Sequence, residues 1–158
     1  MVQATEILAT RESLTGEVVV VGGGLVGLDV AEVLSMTADR VTIIEKGSRA
    51  GSVLEWNLRK MRLRSLRHYG VNIMLQSQLI RCERSAVIVC NPVGDEQRIQ
   101  ADVLVLALGS VPDNPLPQLA EALSCPQTFI GDCRNPAGLT EALGQGRSAG
   151  QMRIGHNS

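Results

Sequence analysis

Gly22-Gly23-Gly24-Leu25-Val26-Gly27 fits the pattern GxGxxG. The pattern is common by itself and carries chemistry only in context. Here it follows the β-branched run EVVVVGG, Glu17 to Gly23, and opens the apolar helical pattern LVGLDVAEVLSM, Leu25 to Met36. Glu45 stands twenty-three residues after Gly22, at the end of a second strand-like run. That combination is the fingerprint of a dinucleotide site. Gly22 permits the tight turn, Gly24 lets a pyrophosphate approach the backbone, and Gly27 lets helix and strand pack closely. The helix that starts with Leu25 and Val26 aims unpaired N–H groups and the positive end of its dipole at the phosphates.

Glu45 can accept hydrogen bonds from an adenosine ribose. A carboxylate there repels a 2′-phosphate, which favours NAD(H) over NADP(H). Lys46 and Arg49 oppose that preference, because either can reach an added phosphate. NAD(H) is therefore the expected ligand, with ADP as a smaller alternative. The same glycine turn also suits direct binding of FAD, since the fingerprint does not tell the two dinucleotides apart. The bland alternative is a glycine turn that holds no ligand.

The remaining reactive residue types form no comparable constellation. Cys82, Cys90, Cys125 and Cys133 make no CxxC pair, so neither a zinc ribbon nor a redox dithiol is expected. Reduced, structural cysteines are the expectation. Arg59, Lys60, Arg62, Arg64 and Arg67 crowd one segment. No aromatic residues interleave them for base stacking, and they read as a solvated or partner-facing helix. His68 suits a helix C-terminus, where its charge meets the dipole favourably. No catalytic triad, metal cluster or carboxylate pair can be assigned, so no catalytic residue and no metal ligand is named.

Composition bounds the class. The 158 residues are long enough for a buried core, and 44% are hydrophobic. Trp56, Tyr69 and Phe129 are the three aromatics, so packing rests on aliphatic side chains. The net charge of −1 provides no field to recruit nucleic acid or an anionic membrane. No apolar run is long enough to cross a bilayer, and no signal-peptide pattern opens the chain. A soluble cytoplasmic protein is expected, with neither nucleic acid nor membrane as a partner.

The elements that must position the glycine turn follow from periodicity. Glu17–Gly23 and Arg40–Lys46 read as buried parallel strands around the helix at Leu25–Met36, a βαβ unit. Ser52 to Tyr69 reads as a second helix ended by Gly70, and Val71 to Leu75 as a third strand. Leu79–Arg84, Ala86–Asn91 and Arg98–Ile99 read as an antiparallel meander with a turn at PVGDE, inserted before the core strand Val103–Leu108. The prolines of GSVPDNPLPQ demand an irregular connection. A short helix at Gln118–Leu123, a strand at Thr128–Asp132 and a last helix from about Pro136, capped by Asn135, complete the reading. The tail GHNS is expected to be loose. The fold class is α/β, a Rossmann-like parallel sheet with helices on both faces and an inserted antiparallel β-meander. The expected domains are a lead-in at 1–16, the NAD(H)-binding domain at 17–114, and a linker with a closing strand and helix at 115–158.

Three segments in this order resemble the nucleotide-binding part of flavoprotein pyridine-nucleotide reductases. They are VVVVGGGLVGLDVAEVL with VTIIEKG, DVLVLALGSVPDN at 102–114, and TFIGDCRNPAGLTEALGQGRSAG at 128–150. The resemblance is nearest to the C-terminal region of the trimethylamine dehydrogenase and 2,4-dienoyl-CoA reductase family, whose lead-in is similar to ATEIL here. It implies that Gly109 lines the cofactor site. It implies also that Gly131 and Asp132 are the pair ending an FAD-domain strand, with Gly138, Leu139 and Thr140 near the start of a helix directed at the isoalloxazine. The bland alternative makes Asp132 a turn or capping residue.

The departures from that family matter equally. There is one GxGxxG and not two, no flavin-bearing (β/α)₈ barrel, which alone needs about 250 residues, and no cluster-ligand cysteine motif. FAD is expected only at a shared or incomplete site. Three functional readings stay open: an NADH-binding component that passes hydride to a flavin completed elsewhere, a non-catalytic ADP- or NAD-binding subunit, and direct FAD binding at the glycine turn. A larger flavoprotein chain or a second copy of this one is the expected partner. The chain is read equally as a small subunit, a truncated gene product or an excised domain.

Overall fold

The computed structural model describes residues 1–112 and 127–154. The expected helix at Gln118–Leu123, Cys125, His156 and the GHNS tail lie outside the described residues. The chain divides into two compact units, Met1–Gly109 and Ser110–Ser158.

In the first unit, the apolar, largely β-branched runs of β2 (Glu17–Val21), β3 (Arg40–Ile44) and β8 (Val103–Leu106) become the buried centre of a sheet. The short strands β1 (Val2–Gln3) and β4 (Asn72–Met74) are its less buried edges. All pair in parallel in the order β1-β8-β2-β3-β4. Between β4 and β8 the chain makes β5 (Gln78–Cys82), β6 (Ala86–Cys90) and β7 (Glu96–Gln100), a separate antiparallel sheet in the order β5-β6-β7. The expected parallel sheet and inserted meander are both present. β2, β3 and β8 each stop two residues short of their expected C-terminal ends, whereas β5 starts one residue before Leu79 and β7 extends over Glu96–Gln100.

Alternation along β2 decides what covers each face. Val18 and Val20 pack with Val41, Ile43 and Val105 against helices α1 (Ala4–Thr10), α2 (Leu25–Leu34) and α3 (Trp56–His68). Val19 and Val21 pack with Ile44 and Leu104 against Val87 and Val89 of β6. Helices therefore cover one face in this unit, and the meander covers the other. The arrangement is that of the expected α/β class, a parallel sheet flanked by helices with a separate antiparallel three-stranded sheet. A meander with Ala86–Val89 buried presents the apolar surface that a helix would otherwise supply.

Residues 2–10, read from the sequence only as a lead-in, form β1 and α1. Ile7 is fully buried and the Gln3 N–H donates to Glu6 Oε2 at 3.2 Å in a capping box. The second helix begins at Trp56 and not Ser52. The Glu55 side chain caps it by accepting from the Asn57 and Leu58 N–H groups.

In the second unit, Thr128–Ile130 forms no strand, and Gly131–Cys133 is a 3₁₀ turn, against the expectation of a strand at Thr128–Asp132. Among the described residues no strand pairs with this run, so its backbone has no ladder to join. The last helix, α4 (Leu139–Ile154), starts three residues later than expected. Gly138 has φ +91°, outside the helical region, so Asn135 cannot cap the helix and Pro136 lies in the preceding loop.

Candidate functional site

The ends of β2, β3 and β8 and the start of β5 surround a cavity of about 550 Å³. Val21, Gly22, Gly24, Leu25, Val26, Glu45, Lys46 and Gly109 line it, together with Ser77–Leu79 and Ala107–Leu108. Ligands of open α/β sheets bind at this carboxyl edge of the parallel strands. Seven residues chosen from the sequence thus come together: Gly22, Gly24, Leu25, Val26, Glu45, Lys46 and Gly109.

Each glycine of the turn is needed for a different reason. Gly22 has φ +108°, and a Cβ on it would lie 2.3 Å from the Ala107 carbonyl oxygen. Gly27 does not line the cavity; it lies beneath the turn, where a Cβ would lie 1.9 Å from the Gly22 carbonyl oxygen. Gly24 is unlike both. It is exposed, and a Cβ on it would meet nothing within 4 Å. The protein leaves that space open beside the α2 N-terminus. Gly24 is the N-cap of α2 and supplies no side chain to its amides. The first intrahelical bond runs from the Leu28 N–H to the Gly24 carbonyl at 3.0 Å. The amides of the first turn are thus left for an anion, and a diphosphate fits an open backbone face at the positive end of a helix.

Glu45 is half-buried at the end of β3, and both of its oxygens are engaged. Oε2 accepts from the Gly23 N–H at 2.6 Å and Oε1 from the Gly47 N–H at 2.6 Å. A carboxylate offers about four lone-pair sites, so ribose hydroxyls still have sites to use. Lys46 is exposed on the cavity wall, whereas Arg49 does not line it.

Sequence reasoning missed Ser77, Gln78 and Leu79. They follow β4, and the parallel topology brings that strand's carboxyl end to the same edge as the glycine turn. The edge rule would have found them once β4 was placed beside β3.

Gly131, Asp132 and Leu139 lie in the second unit. Asp132 Oδ1 accepts from the N–H groups of Ala137 and Gly138 at 3.2 and 3.4 Å, and Gly131 donates its N–H to Gln145 Oε1 at 2.7 Å. This is the turn role weighed for Asp132 from the sequence. Leu139 is 75% exposed.

Other singled-out residues have structural partners. Arg62 pairs with Asp29 and Glu32 of α2, and Arg59 Nε donates to the Ala50 carbonyl at 2.7 Å. Lys60 stacks 5.1 Å from the Trp56 ring centroid. His68 closes α3 and meets Tyr69 edge-on. Cys82, Cys90 and Cys133 are free thiols. Among the described residues, no helix is long and apolar enough to cross a membrane.

A family model described as pyridine nucleotide-disulphide oxidoreductase matches residues 2–142. The chain belongs to that family. This oxidoreductase-family chain is 27% identical over 150 residues to a bilirubin reductase of Mediterraneibacter gnavus, covering 94% of this chain and 23% of that protein. It is 29% identical over 147 residues to an NADH oxidase of Thermoanaerobacter brockii, covering 91% and 23%. A solved 6-hydroxypseudooxynicotine amine oxidase from Pseudomonas geniculata superposes with a TM-score of 0.80 at 23% identity, over 94% of this chain and 24% of that one. The last likeness is one of fold. The chain spans about a quarter of the length of these relatives.

Proposed function

We propose that this chain binds NAD(H) in the cavity at Gly22–Gly27 and is the NADH-binding component of a flavin-dependent oxidoreductase. The flavin site would be completed by protein outside these 158 residues. One observation carries the reading: Gly24 faces open space at a helix N-terminus, while Gly22 and Gly27 are hemmed in by backbone. Protein packing explains the second pair of glycines. A ligand explains Gly24. Family membership and the NADH oxidase among the relatives agree with a nicotinamide cofactor. The order of the three sequence segments favours the trimethylamine dehydrogenase and 2,4-dienoyl-CoA reductase branch.

Bound NADH supplies a hydride for a flavin to accept. The residues here bind and orient. The α2 amides and Gly24 hold the diphosphate, Glu45 takes the ribose, and Ser77–Leu79 with Leu108–Gly109 wall the cavity. The described residues of the second unit do not by themselves fit a complete FAD site. Asp132 Oδ1 is taken up by its own loop, and among the described residues no buried side-chain polar atom waits for a partner. No step is assigned through FAD there. Leu139 and Leu143 are 75% and 65% exposed on α4, and they support a larger flavoprotein chain or a second copy as the partner.

A second reading is FAD at the same turn, because the phosphate-facing groups are backbone and serve either dinucleotide. Calorimetric titration of the purified chain with ADP, NADH and FAD, with its absorbance spectrum and light scattering, separates the readings. The expected result is a colourless, associating protein that binds ADP and NADH. A yellow monomer holding one FAD per chain would sink the proposal and promote the second reading.

A further inference from the structure

Gly23 is held on both sides by the segment that follows β3. Its N–H donates to Glu45 Oε2 at 2.6 Å, and its carbonyl accepts from the Gly51 N–H at 2.7 Å. That segment is itself fixed. The Glu45 N–H donates to the Met74 carbonyl at 2.9 Å, and the carbonyls of Glu45 and Gly47 accept from the N–H groups of Ser77 and Gln76, both at 2.9 Å. Ala50 is buried, with its carbonyl bound by Arg59 Nε. Glu45 is the side chain that joins this fixed segment to the glycine turn, and its second oxygen closes on Gly47. Gly23 fits tightly there: a Cβ would come within 3.0 Å of Glu45 Cβ and 3.1 Å of Oε2.

We infer that Glu45 is a positioning residue for the diphosphate, holding the Gly23 peptide so that Gly24 and the first-turn amides of α2 face the phosphates. This deepens the NAD(H) reading and rests on it. The role is separate from ribose recognition. Two lone-pair sites hold backbone amides, and the remaining two serve hydroxyls. Short bonds from N–H to a carboxylate are among the stronger hydrogen bonds, which suits a group that fixes a turn.

The two roles of Glu45 predict opposite signs for one measurement. Removing a negative charge beside a diphosphate should tighten its binding on Coulomb grounds. Removing the group that positions the turn should weaken it. In Glu45→Gln one backbone N–H must face the side-chain NH₂ and is left unpaired.

The probe is 2′,3′-dideoxyadenosine diphosphate, which keeps the diphosphate and lacks the ribose hydroxyls. Its affinity and that of ADP are measured by calorimetry on the unsubstituted chain and on Glu45→Gln, with circular dichroism as the fold check. The expected result is that Glu45→Gln weakens the dideoxy compound about tenfold. Unchanged or tighter binding of that compound, with ADP weakened, would confine Glu45 to the ribose and overturn the inference. Amide hydrogen exchange on the unsubstituted, ligand-free chain tests the same point without any variant. Gly23 should exchange slowly, and exchange at the rate of a free amide would overturn the positioning role. A chain that binds neither nucleotide before substitution would instead sink the NAD(H) reading itself.

Discussion

A Cβ on Gly27 would stand 1.9 Å from the carbonyl oxygen of Gly22. The turn and the helix after it meet backbone to backbone at this point, so no side chain can be accommodated without moving one of them. Gly27→Ala is expected to destabilise the chain by about 3 kcal/mol, at the upper end for an overpacked site, because the obstructing atom is backbone. The measure is urea denaturation followed by circular dichroism. A loss below about 1 kcal/mol would show that α2 can move off β2 with little strain.

Gly24→Val should behave in the opposite way. The position has room for the side chain and an extended backbone, φ −71° and ψ −171°. Stability should fall by only about 1 kcal/mol, the cost of a poorer N-cap. Nucleotide affinity should fall more than tenfold, because the added methyls occupy the space where the diphosphate approaches. Unchanged affinity for ADP in a folded variant would place the ligand elsewhere.

NADH should stabilise the chain more than NADPH at matched concentration. In the proposed binding mode half-buried Glu45 stands beside the ribose, so its repulsion of a 2′-phosphate is only partly screened, while exposed Lys46 offsets some of it. A difference of about tenfold in Kd is expected, and it should narrow as salt is raised. Thermal shift and calorimetry at low and high ionic strength provide the test; equal affinities at low salt would remove Glu45 as the selector.

Asp132→Ala should free the amides of Ala137 and Gly138, which now donate to its Oδ1. The expected cost is about 1 kcal/mol in the local stability of the loop before α4, read as faster hydrogen exchange at those two amides. Nucleotide affinity at the first unit should stay the same. A change in ADP binding without faster exchange would contradict the turn role.

Local chemistry made the centre of this fold legible from residues 17–46 alone. β-branched runs have one stable use beside a glycine turn, and an apolar ten-residue pattern after it can only pack as a helix on those strands. The glycine turn was legible because its whole pattern lies within Gly22–Gly27, although the carbonyl that hems in Gly22 comes from distant Ala107. What covers each face of the sheet was not. Val19 and Val21 are as apolar as Val18 and Val20, and nothing in β2 says that β6 and not a helix will bury them. The entry of Ser77–Leu79 into the cavity depends on β4 pairing with β3, a contact between residues about thirty apart in the chain. The strand read at Thr128–Asp132 had the right residues and no partner among the described ones. The hold of Glu45 on Gly23 spans twenty-two residues and exists only because β2 and β3 lie side by side in register. Residue types set which local shapes and chemistries were available here; the pairing of distant strands decided which groups meet, because hydrogen bonds and burial reward closeness in space, whatever the separation along the chain.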